Sequence, residues 1–492
     1  MLLCLLEMCA ILPLLLAATG IVGWEQRQML CRKAALPEVG SNLFRAAVIL
    51  YFHRRDSVSH MIKYLLKQSA GRVLAFGFLF AIMLGSFILM LPVSLREDVE
   101  LHYIDALYTA TSAVCVTGLT SVDVAAVFSP FGYAVIAVLI QIGGLGIAIV
   151  GAGVFLAMGK RVNLRERMMI RYAMNLDSDS GTIRFVKHLL LITVIFESAG
   201  AIVCFFIFLQ DYPPLQALGI SVFHSIASFN NAGFDLFGNF ESLASYSGNV
   251  PLLVTTAVLI IGGGIGFLVV GDIVAKRGKF SKFRLHTKVV LLMTAVLLVG
   301  GTLLFKAVTD LSWLDSAFYS VAARTAGFAT APVGSFSNAG ILILVALMFV
   351  GGSPGSTAGG IKTTTLFILL QGIRTFATNK RAAAFHYSLP RNMFEKAAVV
   401  TILAAAVVLL GTFLMAVLEP EIPLRDLLVE VTSAFGTVGY TTGISPQLGT
   451  PSKVLTILIM FIGRLGPLTI ATLWYFGPIT SARYPEGRLS IG

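Results

Sequence analysis

The chain has 492 residues, of which 57% are hydrophobic and only 12% charged, with a mean hydropathy of +0.86. About a quarter charged is usual for a soluble domain, so too little polar surface exists here to solvate a water-soluble fold. A net charge of +11 would admit nucleic acid as a partner, but the placement of the charges excludes it.

Of the 36 Lys and Arg, 29 fall in five segments, 24–72, 159–187, 275–288, 372–396 and 483–492. The connections between them carry acids, among them Glu97, Asp98, Glu100, Asp211, Glu241, Asp310, Glu419 and Glu421. That alternation is the positive-inside pattern of a polytopic helical membrane protein, with the basic segments cytoplasmic and two crossings between successive ones. The apolar runs exceed the ~20 residues that a bilayer requires. Five cysteines (Cys4, Cys9, Cys31, Cys115 and Cys204) are scattered without metal spacing and read as free thiols.

Residues 1–23 are apolar but contain Glu7 and Pro13 and lack a basic leading region. They do not fit a cleaved signal peptide, and an extra membrane helix or a partly buried arm is expected instead. With the basic stretch that follows they form an N-terminal region, 1–71. Residues 72–158 are a unit: a span at 72–93 closed by Pro92, a short acidic connection, a short helix from His102 to Cys115, a glycine loop, and a second span at 131–158. The unit returns at 188–274 (spans 188–209 and 250–274), 287–371 (spans 287–309 and 336–371) and 395–480 (spans 395–418 and 453–480). A cytoplasmic tail, 481–492, follows.

Aligned on the glycine, the loops read Val116-Thr117-Gly118-Leu119, Asn231-Ala232-Gly233-Phe234, Thr325-Ala326-Gly327-Phe328 and Thr437-Val438-Gly439-Tyr440. A second landmark keeps phase with them: Ile142-Gly143-Gly144, Ile261-Gly262-Gly263, Val350-Gly351-Gly352 and Ile462-Gly463-Arg464, at 25, 29, 24 and 24 residues after the loop glycine. Two landmarks in phase over four copies are a repeat, not chance. Asp105, Asp315 and Asp426 lie 13, 12 and 13 residues before their loop glycines and are expected to cap the short helices. The second copy has Pro213-Pro214 there instead. T-V-G-Y is the kind of loop whose backbone carbonyls replace the water shell of potassium. Units with two crossings each all enter from one side, so four such loops in a ring make a pore. The expected fold is therefore all-α and polytopic, with four parallel span–pore helix–filter loop–span repeats around one central pore.

These motifs resemble the Trk/Ktr/HKT superfamily of potassium transporters, and most closely the bacterial Ktr and Trk membrane subunits. The resemblance covers about residues 70–480. It rests on the four loops together with Gly351 to Thr363 and Phe461-Ile462-Gly463-Arg464-Leu465-Gly466-Pro467. It implies potassium uptake, with Gly118, Gly233, Gly327 and Gly439 as filter glycines. The other ion-binding positions are then Val116, Thr117, Asn231, Ala232, Thr325, Ala326, Thr437 and Val438. A sodium-permeable or sodium-coupled member is the alternative; serine in the first loop marks some sodium-favouring relatives, and Gly118 argues for potassium. The resemblance further implies a bacterial inner-membrane homodimer with one pore per subunit and a separate cytoplasmic nucleotide-binding ring. No cofactor is expected in this chain, only K+ as cargo, with Na+ as the other candidate.

The second span of the third unit is too long, and glycine and Pro354 at its middle preclude a continuous helix. It is expected to break around Gly351, Gly352, Ser353, Pro354, Gly355, Ser356, Thr357, Ala358, Gly359, Gly360 and Lys362. Irregular backbone at that depth must line a cavity, and the resemblance makes it a gating loop under the filter. A phosphate-binding loop is a poor fit, because Ile361 separates Gly360 from Lys362 and no strand precedes it. Arg464 replaces the second landmark glycine inside an apolar span. It reads as an electrostatic barrier and gate, or as half of a salt bridge to a buried acid such as Glu197. Asn230 and Arg324 are expected to brace the loops. His53, His60, His188 and His286 lie in basic segments and read as surface residues. No nucleophile–base cluster appears, which speaks against a membrane enzyme, and same-direction repeats speak against a carrier built from inverted ones.

Overall fold

A computed structural model describes residues 70–159, 162–174 and 181–472; the expected N-terminal arm, His53, His60 and the C-terminal tail lie outside these. The described chain is mostly helical. Among the described residues, four helices are long and apolar enough to cross a membrane: α1 (Ala70–Leu89), α6 (Thr182–Phe208), α10 (Leu285–Val308) and α14 (Arg391–Leu418). Each is followed by a short helix, α2 (Tyr103–Cys115), α7 (Pro214–Phe229), α11 (Trp313–Ala322) and α15 (Leu424–Gly436). Then come the inner helices α3 (Pro130–Leu145), α8 (Val250–Gly264), α12 (Asn338–Phe349) and α16 (Thr450–Leu465).

Local chemistry starts the inner helices. Ser129, Asn249 and Ser337 accept hydrogen bonds from Gly132, Leu252 and Gly340 backbone N–H groups, and prolines stand in the first turns of α3, α8 and α16. Where they stop corrects the sequence reading, which left the second spans of the first, second and fourth units continuous. Gly146, Gly266 and Gly466 have φ of 87°, 97° and 89°, values that end a right-handed helix. Beyond them the chain turns sharply into α4 (Ile147–Ala157), α9 (Phe267–Ala275) and α17 (Pro467–Thr472). The bends are 105° after α3 and 96° after α8. In the third unit no helix resumes until α13 (Thr363–Thr378).

Three smaller readings also change. The second unit begins at Thr182, so Arg184, Lys187 and His188 are helical, and the basic connection before it contains α5 (Leu164–Met174). The aspartates are not caps. Asp315 is three residues into the reach of the true cap, Ser312, whose Oγ accepts from its N–H. Asp426 meets Arg425. Asp105 serves a different purpose, given below.

Burial is inverted relative to a soluble protein. The short helices are almost wholly enclosed, while the long ones present Phe80, Ile402, Leu409 and Phe413 outward, each more than 60% exposed. Such faces suit lipid, not water. Each long helix packs on the short helix of its own unit. Each inner helix packs on the short helix of the next: α3 on α7, α8 on α11, α12 on α15, and α16 back on α2. At this last junction Lys453 Nζ of α16 lies 2.7 Å from Asp105 Oδ1 of α2, which also accepts from Ser121 Oγ at 2.6 Å.

Removing one partner of a buried ion pair strands the other charge, at about 3–5 kcal/mol. Lys453→Met should therefore lower the melting temperature in detergent sharply. The double variant Asp105→Asn/Lys453→Met should recover much of the loss. Equal melting of the single variant and the parent would exclude a structural role for the pair.

Candidate functional site

The four short helices end in the four glycine loops, and each loop has the same backbone. The residue two before the glycine and the glycine itself have positive φ: Val116 58° and Gly118 88°, Asn231 59° and Gly233 68°, Thr325 89° and Gly327 70°, Thr437 51° and Gly439 103°. Three of the four non-glycine positions are β-branched, for which this region is strained by about 1–3 kcal/mol each. Strain repeated at one register four times needs support. Ser112 and Ser433 Oγ accept from Gly118 and Gly439 N–H, both at 3.0 Å. Tyr440 Oη donates to Phe328 O at 2.8 Å and its ring stacks on Tyr319.

The loops meet one another. A Cβ on Gly118 would collide with Ala232 O, one on Gly233 with Ala326 O, one on Gly327 with Val438 O, and one on Gly439 with Thr117 O. Each glycine thus faces the carbonyl that precedes the next glycine, and the fourth returns to the first. The twelve candidate residues Val116–Gly118, Asn231–Gly233, Thr325–Gly327 and Thr437–Gly439 are gathered at one place, with the side chains of the middle and strained positions almost wholly buried.

The landmark glycines explain how. A Cβ on Gly143, Gly263 or Gly463 would strike Val114 O, Phe229 O or Phe435 O, each four residues before a loop glycine. The inner helix touches backbone at the end of its own short helix. This moves the second landmark by one residue, from Ile261-Gly262-Gly263 to Gly262-Gly263-Gly264. It also aligns the hinges Gly146, Gly266 and Gly466, with Pro354 at that position in the third unit.

The segment between α12 and α13 lies against the strained residues. Thr357 Oγ1 is 3.3 Å from the Asn231 amide, and a Cβ on Gly359 would strike Thr437 Oγ1. Gly264 O accepts from Ser353 N–H at 3.0 Å, and Gly355 O from Phe267 N–H at 2.9 Å. Val350 and Ile361 form a bridge that pinches the segment's two ends together. Lys362 Nζ donates to Ala358 O at 2.5 Å and Gly359 O at 3.3 Å, so the segment binds its own cation.

Arg464 has no acid partner among the described residues, which corrects the salt-bridge alternative. Its guanidinium donates to Thr357 O of the intervening segment and to Gly143 O and, at 3.2 Å, Gly144 O of α3. Glu197 is engaged elsewhere: it accepts from Asn230 Nδ2 at 3.0 Å and Gln141 Nε2 at 3.3 Å. Asn230 therefore ties α7 to α3 and α6. His188 is exposed, with Nδ1 2.7 Å from Arg184 O.

Sequence reading passed over two enclosed polar residues. Glu430 accepts from Ser445 Oγ at 2.6 Å, and His224 Nε2 is 2.9 Å from Thr256 Oγ1. Both stand nine residues before a loop glycine, a register that aligning the short helices would have exposed. A small hollow beside Gly118 and Gly233 is edged by Asp123 and Asp235. Burial first, then the charges of Asp123 and Glu241, push the Asp235 carboxyl up to about 6.

Residues 80–309 and 280–476 match the TrkH family, described as cation transport protein. The chain belongs to the TrkH family. It is 36% identical over 453 residues to the Ktr system potassium uptake protein B of Bacillus subtilis (strain 168), covering 89% of this chain and 99% of that one. It is 36% identical over 449 residues to the potassium/sodium uptake protein NtpJ of Enterococcus hirae, covering 87% and 98%. Among solved structures, the potassium transporter TrkH from Vibrio parahaemolyticus matches with a TM-score of 0.67 at 18% identity, over 83% of this chain and 86% of that one. The TrkH-family fold thus accompanies membership in the potassium uptake transporters of Ktr and Trk type.

The landmark contact is testable in this TrkH-family chain without a transport assay. Gly143→Ala should place a methyl group against Val114 O and lower the melting temperature by several degrees. Gly151→Ala, where nothing lies within 4 Å of the new atom, should leave stability unchanged or raise it by up to about 1 kcal/mol. Equal behaviour of the two would refute the close-approach explanation.

Proposed function

We propose that the four loops are the selectivity filter of a potassium uptake pathway, in an all-α protein whose four parallel units surround one central pore. The observation that carries this reading is the cyclic fit of each loop glycine against the carbonyl of the next loop. Carbonyls so placed can replace the hydration shell of a dehydrated cation. The strained residue two before each glycine agrees with it, because alternating backbone hand turns successive carbonyls to the same side. The C-terminal ends of four short helices, each with partial negative charge, add attraction at the centre.

Below the filter, the segment Gly351–Lys362 and Arg464 act as the gate in this reading. The arginine ties the segment to the landmark of the first unit through carbonyls alone, so no acid cancels its charge. A positive charge on the ion path opposes cation flow, and loss of its hydrogen bonds frees the segment. Sodium-permeable or sodium-coupled transport is not favoured, since Gly118 holds the first loop position. A homodimer, a bacterial inner-membrane location and a nucleotide-binding ring docked on the basic cytoplasmic face are further expectations carried by the family.

Two measurements test the proposal. In bacteria deficient in potassium uptake, Gly118→Ser and Gly439→Ser should each reduce the potassium-to-sodium uptake ratio by about tenfold, the effect of ~1.4 kcal/mol at the filter. Parental selectivity in both variants would sink the filter assignment. Arg464→Ala should raise the uptake rate or leak several-fold at unchanged expression. Unchanged flux would remove Arg464 from the gate.

A further inference from the structure

Three residues before each loop glycine the chain carries Cys115, Asn230, Arg324 and Gly436. One loop in four therefore has a full positive charge at the C-terminal end of its short helix. Arg324 is 7% exposed, and its Nε is buried with no hydrogen-bond partner. No carboxylate among the described residues pairs with it; the ion pairs there are Arg425–Asp426 and Lys453–Asp105. The contrast with Arg464, whose charge is spread over three carbonyls, is one of kind.

Arg324 lines a cavity between the second and third units, bounded also by Asn231, Ile260, Gly264, Thr294 and Leu298. The space admits a single water-sized occupant. Thr294 Oγ1, on the same wall, is likewise buried and unpartnered. A water there would satisfy hydrogen bonds but leave the charge. Asn231, a residue of the second loop, borders this cavity, and its amide lies 3.1 Å from Thr325 Oγ1 of the third. The charge thus sits behind two adjacent loops.

We propose that Arg324 sets how tightly the filter holds its cation, by placing an uncompensated positive charge behind the third loop. It acts through the loops without touching the ion, and so is a positioning residue. The physical reason is a requirement of conduction: an ion must be bound well enough to enter and weakly enough to leave. Four helix ends and a ring of carbonyls all attract, and Arg324 offsets one helix end of the four. This inference rests on the filter reading above.

The test is the concentration dependence of potassium uptake by the full chain in deficient cells, for the parent, Arg324→Met, Arg324→Gln and Arg324→Lys. Removing the charge should lower KM roughly tenfold, the scale of one unit charge at ~10 Å and an effective dielectric of ~20. Vmax should fall with it, and Arg324→Lys should restore both. Should the Met variant fail to reach the membrane, potassium-dependent thermal stabilisation of purified Arg324→Gln gives the same readout, with half-saturation at lower potassium than the parent. A KM at or above the parental value in the charge-free variants overturns the proposal, as does a Lys variant that behaves like Met. Half-saturation of the purified parent that shifts between chloride and gluconate also overturns it, because an anion in the cavity would then neutralise the charge. Gly439→Ser measured alongside separates the two ideas. Retained selectivity there defeats the filter reading, whereas lost selectivity with an unmoved Arg324→Met KM defeats only this inference.

Discussion

Backbone approaching backbone at the centre of the chain is the constraint on which the rest depends. A peptide carbonyl in a low-dielectric interior must find a partner, and regular helices consume nearly all of theirs. The four loops leave carbonyls uncommitted and bring them within reach of neighbouring glycines. Only residues without a side chain permit that distance, both between loops at Gly118, Gly233, Gly327 and Gly439 and between helices at Gly143, Gly263 and Gly463. The glycine pattern is one steric condition applied at two radii.

The strained residues two positions before the loop glycines show how much the surroundings must impose. Val116, Thr325 and Thr437 hold a conformation that β-branched side chains disfavour. They are kept there by enclosure and by specific contacts: serine hydroxyls on the following glycines, the Asn231–Thr325 pair, and the segment carrying Thr357 and Gly359. The buried pair Lys453–Asp105 closes the ring between the last unit and the first, where no chain connection does so. The long outer helices pack on the short ones and turn apolar faces outward.

Charge is distributed with the same economy. Arg464 is satisfied by carbonyls of two different units, Lys362 by carbonyls of its own segment, and Glu197 by two amides. In each case a cost of burial is offset by polar atoms that irregular backbone or amide side chains leave available. Arg324 departs from this, with a small cavity in place of a partner. Among the four unequal loops, the inequality extends from the loop residues themselves to those behind them.

Much was legible in the chain itself. Hydropathy and the long apolar runs give the membrane class, because lipid selects on composition. Four glycine loops and their in-phase landmarks give the candidate site, because close approach can be met by one residue type. What the sequence left open are the relations between distant segments. The hinges at Gly146 and Gly266 look like ordinary helix glycines until φ is known. The partner of Arg464 could be any buried acid until Thr357 and Gly143 are seen beside it. Asp105 resembles a helix cap, yet its counter-ion lies 348 residues away. Single-chain patterns record what each position tolerates, and local tolerance determined the unit and its glycines. Only the tertiary structure decided which carbonyl faces which glycine and which charges are paired, because those energies belong to pairs of segments that the sequence keeps apart.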